Sequence, residues 1–178
     1  MADTREPRDP AAGPLVVSPK NPRFFIAKSD PHERAVYLAG SHIWHNFHDG
    51  LGPGEACGQG PESMDFDDYL TFLEERGHNF IRLWRWEQFR SYTEMADYHL
   101  CMEPQPWMRS GPGEATDGKP RFDLDRFDPA YFDRLRERVI AAGDRGIYVD
   151  VMLFDGWGCI SARPRCTSRA IRSMRRTT

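Results

Sequence analysis

The sequence predicts an α/β protein made of the first three βα units of a (β/α)8 TIM barrel, preceded by a short N-terminal β-hairpin. Apolar and amphipathic segments alternate in the order strand, helix, strand, helix, strand, which is typical of βαβ units and a parallel sheet. Long connections follow the predicted strands while helix-to-strand connections are short, as in a barrel whose βα loops build the site. An open doubly wound sheet has the same order, but no glycine-rich phosphate-binding motif follows any strand. A barrel takes about 250 residues and eight strands, and only three of those strands are evident in the 178 residues here, which is less than half of a barrel.

The strands are predicted from short apolar segments. Residues 15–27 indicate two short strands interrupted by prolines, which form the hairpin. Nearly continuous apolar character is typical of strands buried on both faces. On this basis the three barrel strands are predicted at residues 36–40, 79–84 and 147–154.

The first helix is predicted from apolar residues at helical spacing, at Phe66, Tyr69, Leu70 and Leu73. Aspartates at 65, 67 and 68 suit its positive N-terminal end. Gly77 is expected to end it.

The second helix is predicted to begin with Asp128 as N-cap and Pro129 in its first turn, and to end near Gly143 or Gly146. Its apolar stripe comprises Tyr131, Phe132, Leu135, Val139 and Ile140. Between the second predicted strand and the second predicted helix, residues 87–127 are rich in proline, glycine and aromatic residues. A loop of that length inside a domain is usually functional.

Composition limits the class of protein. The chain is 39% hydrophobic and 12% aromatic, which is enough to form a core. It has no apolar run of about 18 residues, so no membrane contact is expected. Residues 1–14 are polar and proline-rich without the apolar core of a signal peptide, and they predict a disordered leader. The four cysteines form no CxxC pair, which favours a reducing compartment, so the predicted location is cytoplasmic.

The charge is unevenly distributed. The formal net charge is −3, yet residues 159–178 carry six arginines and no acid, so residues 1–158 hold all 27 acids against 18 bases. Clustered arginines can bind nucleic acid. However, one permitted back-translation of this tail, shifted by one frame, lacks the arginine bias and contains no stop codon. We therefore expect residues 158–178 to be an out-of-frame tail, which makes nucleic acid an unlikely partner.

Candidate site residues lie at or after the carboxyl ends of the predicted strands. They are His42, Trp44, Arg82, Trp84, Glu87, Asp155 and Trp157. Indole faces stack on sugar rings, while arginine and carboxylate groups bind hydroxyls, so the set predicts a carbohydrate site. Packing between barrel and helices is the alternative for the tryptophans. Asp150 alternates with apolar neighbours in its strand and is expected to form a structural ion pair.

The spacing of His42, His45 and His48 resembles that of metal ligands, but no further ligand or fixing helix is evident. We therefore predict no metal and no cofactor. His42 is expected to line the pocket, and the other two histidines are expected in a polar loop.

Three segments resemble the first three βα units of cellulase-like, family-five-like clan-A glycoside hydrolases: VYLAGSHIWHNFHD, FDDYLTFLEERGHNFIRLWRWE and FDPAYFDRLRERVIAAGDRGIYVDVMLFDGW. The resemblance covers residues 15–157, and NFIRLW matches the Asn-x-x-Arg of the family. It implies that Arg82 supports a catalytic carboxylate and that His42 and Trp44 line the pocket.

The resemblance also implies a retaining hydrolase of polysaccharides or oligosaccharides with two glutamates about 5 Å apart. The family carries these glutamates after strands four and seven, beyond the last strand predicted here. We therefore expect a glycoside hydrolase-like chain without catalytic residues or glycosidase activity. A non-catalytic module for carbohydrate or nucleic acid is the alternative, and an unrelated open-sheet domain is a third possibility.

A barrel fragment of three strands leaves an open edge on its last strand and uncovered apolar faces on its helices. Both features favour self-association.

Overall fold

The computed structural model describes residues 9–44, 46–53, 65–85, 90–92, 98–115 and 118–153. Two helices lie in these ranges, α1 (Phe66–Glu75) and α2 (Pro129–Asp144). The strands, in chain order, are β1 (Leu15–Val17), β2 (Phe25–Ala27), β3 (Ala35–Val36), β4 (Asp49–Pro53), β5 (Phe80–Trp84), β6 (Arg90–Tyr92), β7 (Tyr98–Glu103), β8 (Trp107–Glu114), β9 (Pro120–Phe127) and β10 (Tyr148–Met152).

Helix α1 begins and ends where its sequence predicts. The Asp65 carboxylate caps it by accepting hydrogen bonds from the backbone N–H groups of Asp67 (2.8 Å) and Asp68 (3.1 Å). Gly77 follows the helix with φ +74°, a left-handed conformation that glycine adopts without steric cost. Leu70 and Leu73 are completely buried, which confirms the predicted apolar face.

Helix α2 also begins at its predicted cap, because Asp128 Oδ1 accepts a hydrogen bond from the Ala130 N–H at 3.0 Å. Its predicted stripe is only partly buried. Tyr131 is buried, whereas Phe132, Val139 and Ile140 are exposed. A stripe marks the face that can be buried, but its burial requires a partner surface.

The chain divides into two compact units. Unit 1 comprises the described residues within Met1–Ile43, Asp65–Leu83 and Arg136–Val151. Unit 2 comprises those within Trp44–Met64, Trp84–Leu135 and Met152–Thr178.

Unit 1 contains the predicted N-terminal hairpin. Strands β1 and β2 pair antiparallel, with Val16 opposite Ile26, and β3 adds antiparallel to β2. Strands β5 and β10 form a separate two-stranded sheet. They run in the same direction, because the bonded pairs Asn79–Tyr148 and Arg82–Asp150 advance together along both strands. The core of this unit includes Leu70, Leu73, Ile81, Leu83, Ala142 and Ile147.

An arginine joins the helical segments of unit 1. Arg145 follows α2, and its guanidinium contacts three side chains of α1. It donates to Thr71 Oγ1 at 2.9 Å and to Glu74 Oε2 at 3.0 Å, and it also pairs with the Asp67 carboxylate. One cation therefore balances two acids on a helix whose last turn has no basic residue.

Unit 2 contains antiparallel sheets. In one, β7 lies between β4 and β6, and in the other β8 pairs with β9. The described part of residues 87–127 is therefore mostly strand, and the prediction of one long loop there is wrong. The β8–β9 pairing in this segment shifts register three times.

The predicted barrel is wrong. The described residues form several small sheets and two helices, with no barrel among them. The first predicted barrel strand, residues 36–40, is reduced to Ala35–Val36, which pairs antiparallel with β2. Tyr37, predicted inside that strand, is 86% exposed. An apolar run identifies a segment able to form a strand, but long-range pairing decides its partner and direction.

Candidate functional site

The predicted site residues fall in different parts of the chain. His42 and Arg82 belong to unit 1, and Trp44 and Trp84 belong to unit 2. Glu87, Asp155 and Trp157 lie outside the described residues. The six arginines of residues 159–178, on which nucleic-acid binding would depend, lie outside them too.

Arg82 forms an ion pair in unit 1. Its Nε lies 2.6 Å from Asp150 Oδ2, between the neighbouring strands β5 and β10. The two side chains are 47% and 40% exposed, so the pair faces solvent. The predicted structural pairing of Asp150 is confirmed, with Arg82 as its partner. His42 belongs to the same unit and is exposed.

Trp44 and Trp84 are the two predicted site residues that the structure brings into ring contact. Their ring centroids lie 6.1 Å apart and their planes are inclined by 38°. Trp44 is 56% exposed, while Trp84 is intermediate. We call these two residues the aromatic pair. The exposed indole of Trp44, which lies against the partly buried indole of Trp84, offers an apolar surface to a ligand.

Residues 46–48 are buried. Asn46, Phe47 and His48 are each no more than 1% exposed. The Phe47 ring makes edge-to-face contacts with His48 (5.0 Å between centroids) and with Tyr131 (4.9 Å). The prediction that His48 lies in a polar loop is therefore wrong. Because Phe47 packs as core, the histidine beside it is buried with it.

Arg85 is the buried cation of unit 2, with 5% of its surface exposed. It donates a hydrogen bond to the Leu153 carbonyl at 2.9 Å, and its guanidinium lies 5.5 Å from the Trp107 ring centroid. Burial raises the pKa of the Tyr131 phenol above its usual value, and the charge and hydrogen bond of Arg85 oppose that rise.

Sequence reasoning missed Asn46 as part of this region. Asn46 Oδ1 accepts a hydrogen bond from the backbone N–H of Trp84 at 3.0 Å, a contact between residues 38 positions apart. Two features of the sequence could have indicated this role. Asn46 lies between a candidate tryptophan and a phenylalanine, and asparagine side chains readily form hydrogen bonds with backbone groups.

No group of three or more His, Cys, Asp or Glu able to hold a metal occurs among the described residues, and His45 lies outside them. Within the same ranges, no helix is long and apolar enough to cross a membrane.

Comparison of the chain with models of protein families found no match, and comparisons with curated proteins and with solved structures found none either. Membership of the glycoside hydrolases stays a prediction made from sequence resemblance.

Proposed function

We propose that this glycoside hydrolase-like chain binds carbohydrate through the exposed indole of Trp44 and does not cleave it. The observation that carries the proposal is the aromatic pair, in which a 56% exposed indole lies against a second indole. The C–H face of a pyranose ring stacks on such a surface, and burial of both faces is favourable.

Support for the carbohydrate class comes from the chemistry of the two rings. Both indoles are uncharged and have apolar faces. A neutral ligand with an apolar face suits such a surface. Salt should then have little effect on binding, in contrast to binding through arginines and phosphates.

The binding test uses cellopentaose, xylopentaose and mannopentaose, with affinity measured by calorimetry at low and high salt. We expect at least one of them to bind and the Trp44→Ala variant to bind it about tenfold or more weakly, which corresponds to about 1.4 kcal/mol. Tyr37→Ala is the matched control, because it removes another exposed aromatic ring and lies in unit 1. No binding by the wild type, or equal binding by Trp44→Ala, would contradict the proposal.

The same preparations are incubated with aryl glycosides to test for hydrolysis. We expect no release of the phenol, because the residues that carry the proposal include no pair of carboxyl groups at the separation a retaining mechanism needs, about 5 Å. Turnover by sequence-verified protein would show that the chain is an enzyme rather than a binding module.

A further inference from the structure

The loop that carries Trp44 is attached to Trp84 by one buried side chain. Asn46 is fully buried, and its Oδ1 accepts the backbone N–H of Trp84 at 3.0 Å. It lies two residues after Trp44, whose ring contacts the ring of Trp84. The hydrogen bond and the ring contact therefore join the same two segments of unit 2.

A second contact fixes the other side of Asn46. Phe47 is 1% exposed and packs edge-to-face against Tyr131 of α2. The ring of Phe47 is thus held in the core of unit 2, next to the Asn46 amide that bonds to Trp84. Trp44, two residues before Asn46, is 56% exposed.

We propose that Asn46 is a positioning residue for the sugar-binding surface. By accepting the Trp84 N–H it sets the position of Trp84 relative to Trp44, and so the orientation of the indole face offered to a ligand. This inference rests on the proposed carbohydrate binding for its effect on affinity, but its effect on the geometry of the aromatic pair does not depend on any ligand.

The physical reason for this positioning role is the free-energy cost of leaving the Trp84 N–H without a hydrogen-bond acceptor. A backbone N–H that loses its acceptor away from water is destabilised unless the chain shifts to find another. At Trp84 that shift would displace the ring that Trp44 contacts. A binding surface held in place before the ligand arrives needs no ordering on binding, so loss of this order weakens affinity.

The experiment compares three substitutions in the full chain. Asn46→Leu removes the acceptor and keeps similar volume, whereas Asn46→Asp keeps an Oδ1 acceptor at the same place. Asn79→Leu is the matched control. Asn79 also bonds backbone groups of a distant segment, with Oδ1 accepting from the Ala39 N–H and Nδ2 donating to the Tyr37 carbonyl, both at 2.9 Å, but it lies in unit 1. Asn46→Ala replaces Asn46→Leu if the leucine variant does not fold.

The first measurement is the far-ultraviolet circular dichroism couplet that two closely spaced indoles produce, recorded under conditions where thermal unfolding shows each variant to be folded. We expect Trp44→Ala to remove the contribution of the aromatic pair to the couplet, Asn46→Leu to change that contribution, and Asn46→Asp and Asn79→Leu to preserve it. A folded Asn46→Leu variant with the wild-type couplet would overturn the inference, whether or not a sugar binds.

The second measurement is affinity for whichever of the three pentasaccharides binds the wild type most tightly. Asn46→Leu should bind about tenfold more weakly, with Asn46→Asp closer to the wild type and Asn79→Leu unchanged. If Trp44→Ala loses binding while Asn46→Leu does not, the positioning role is wrong and the proposed function stands. If neither variant changes affinity, the proposed function itself is wrong.

Discussion

At the residue scale, the turn between β2 and β3 is organised by the carboxylate of Asp30. It accepts hydrogen bonds from the backbone N–H groups of His32 (3.0 Å) and Arg34 (3.1 Å), and it pairs with the Arg34 guanidinium at 2.8 Å. The hydrogen bond from the Arg34 side chain, followed by that from the His32 backbone, lowers the pKa of Asp30 from 3.8 to about 2. Each of these contacts favours the ionised carboxylate.

The pH dependence follows from that shift. Because the pKa is lower in the folded chain, the turn contributes stability that is present above pH 3.8 and is lost as the pH falls through about 2. A carboxyl-carbon NMR titration should give a midpoint near 2 for Asp30, and Arg34→Ala should move it toward 3.8. Lys20→Ala, which removes an ion pair to Glu33 in the same region, should leave the midpoint in place. An Asp30 midpoint near 3.8 in the wild type would contradict the pairing.

At the element scale, two glycines illustrate how differently the same residue type is used. In unit 1, a Cβ added at Gly40 would lie 1.7 Å from the Phe80 carbonyl oxygen, so the segment after β3 approaches β5 closely. A Cβ added at Gly143, in the last turns of α2, would meet nothing within 4 Å. Only the first of these glycines is required by packing.

Alanine substitution should therefore act in opposite directions at these two positions. Gly40→Ala forces backbone apart and should lower the free energy of unfolding by at least about 1–3 kcal/mol. Gly143→Ala should raise it by about 0.5–1 kcal/mol, because alanine is the better helix former. Denaturant unfolding of both variants beside the wild type measures the difference. Equal effects of the two substitutions would show that β5 is not approached as closely as the structure places it.

The elements that could be predicted from the sequence are those specified locally. Asp65 and Asp128 mark the starts of both helices because the capping side chain and the capped N–H groups lie within three residues of each other. Strand partners were mispredicted because they depend on distant residues. Ala35 and Val36 pair with β2 rather than with β5, and no local pattern indicates that choice.

The candidate site shows the same division. Trp44 and Trp84 could be predicted as candidates from their positions after apolar segments, and the structure brings them together. Asn46 could not, because its role depends on a backbone group 38 residues away. The inward position of Arg85 likewise depends on Leu153 and Trp107.

At the scale of the whole molecule, charge is the property that the sequence defines best. The chain has a net charge of −3 and an isoelectric point of about 6.1, although six of its 24 basic residues lie in residues 159–178. Net charge controls colloidal behaviour through repulsion between molecules. The arginines of that segment therefore bring the whole chain closer to neutrality than residues 1–158 alone.

Solubility should be lowest near pH 6.1, where the net charge vanishes. Light scattering across pH 4–9 at fixed protein concentration measures this. Replacement of the six arginines by glutamine should move the minimum to lower pH and increase solubility at pH 7, where the chain would be strongly acidic. A solubility minimum that stays in place after the replacement would show that apolar surface, rather than charge, controls association.

The side chain of Asn79 acts like an extra peptide group. It donates to the Tyr37 carbonyl and accepts from the Ala39 N–H, while its own backbone N–H bonds to the Ala39 carbonyl. Deamidation would keep the accepting oxygen and replace the donor with a second oxygen facing the Tyr37 carbonyl. A chemical change of a single mass unit would then set two acceptors against each other. The alignment of residues 37–39 with Asn79 would therefore respond to the replacement of one amide nitrogen by oxygen.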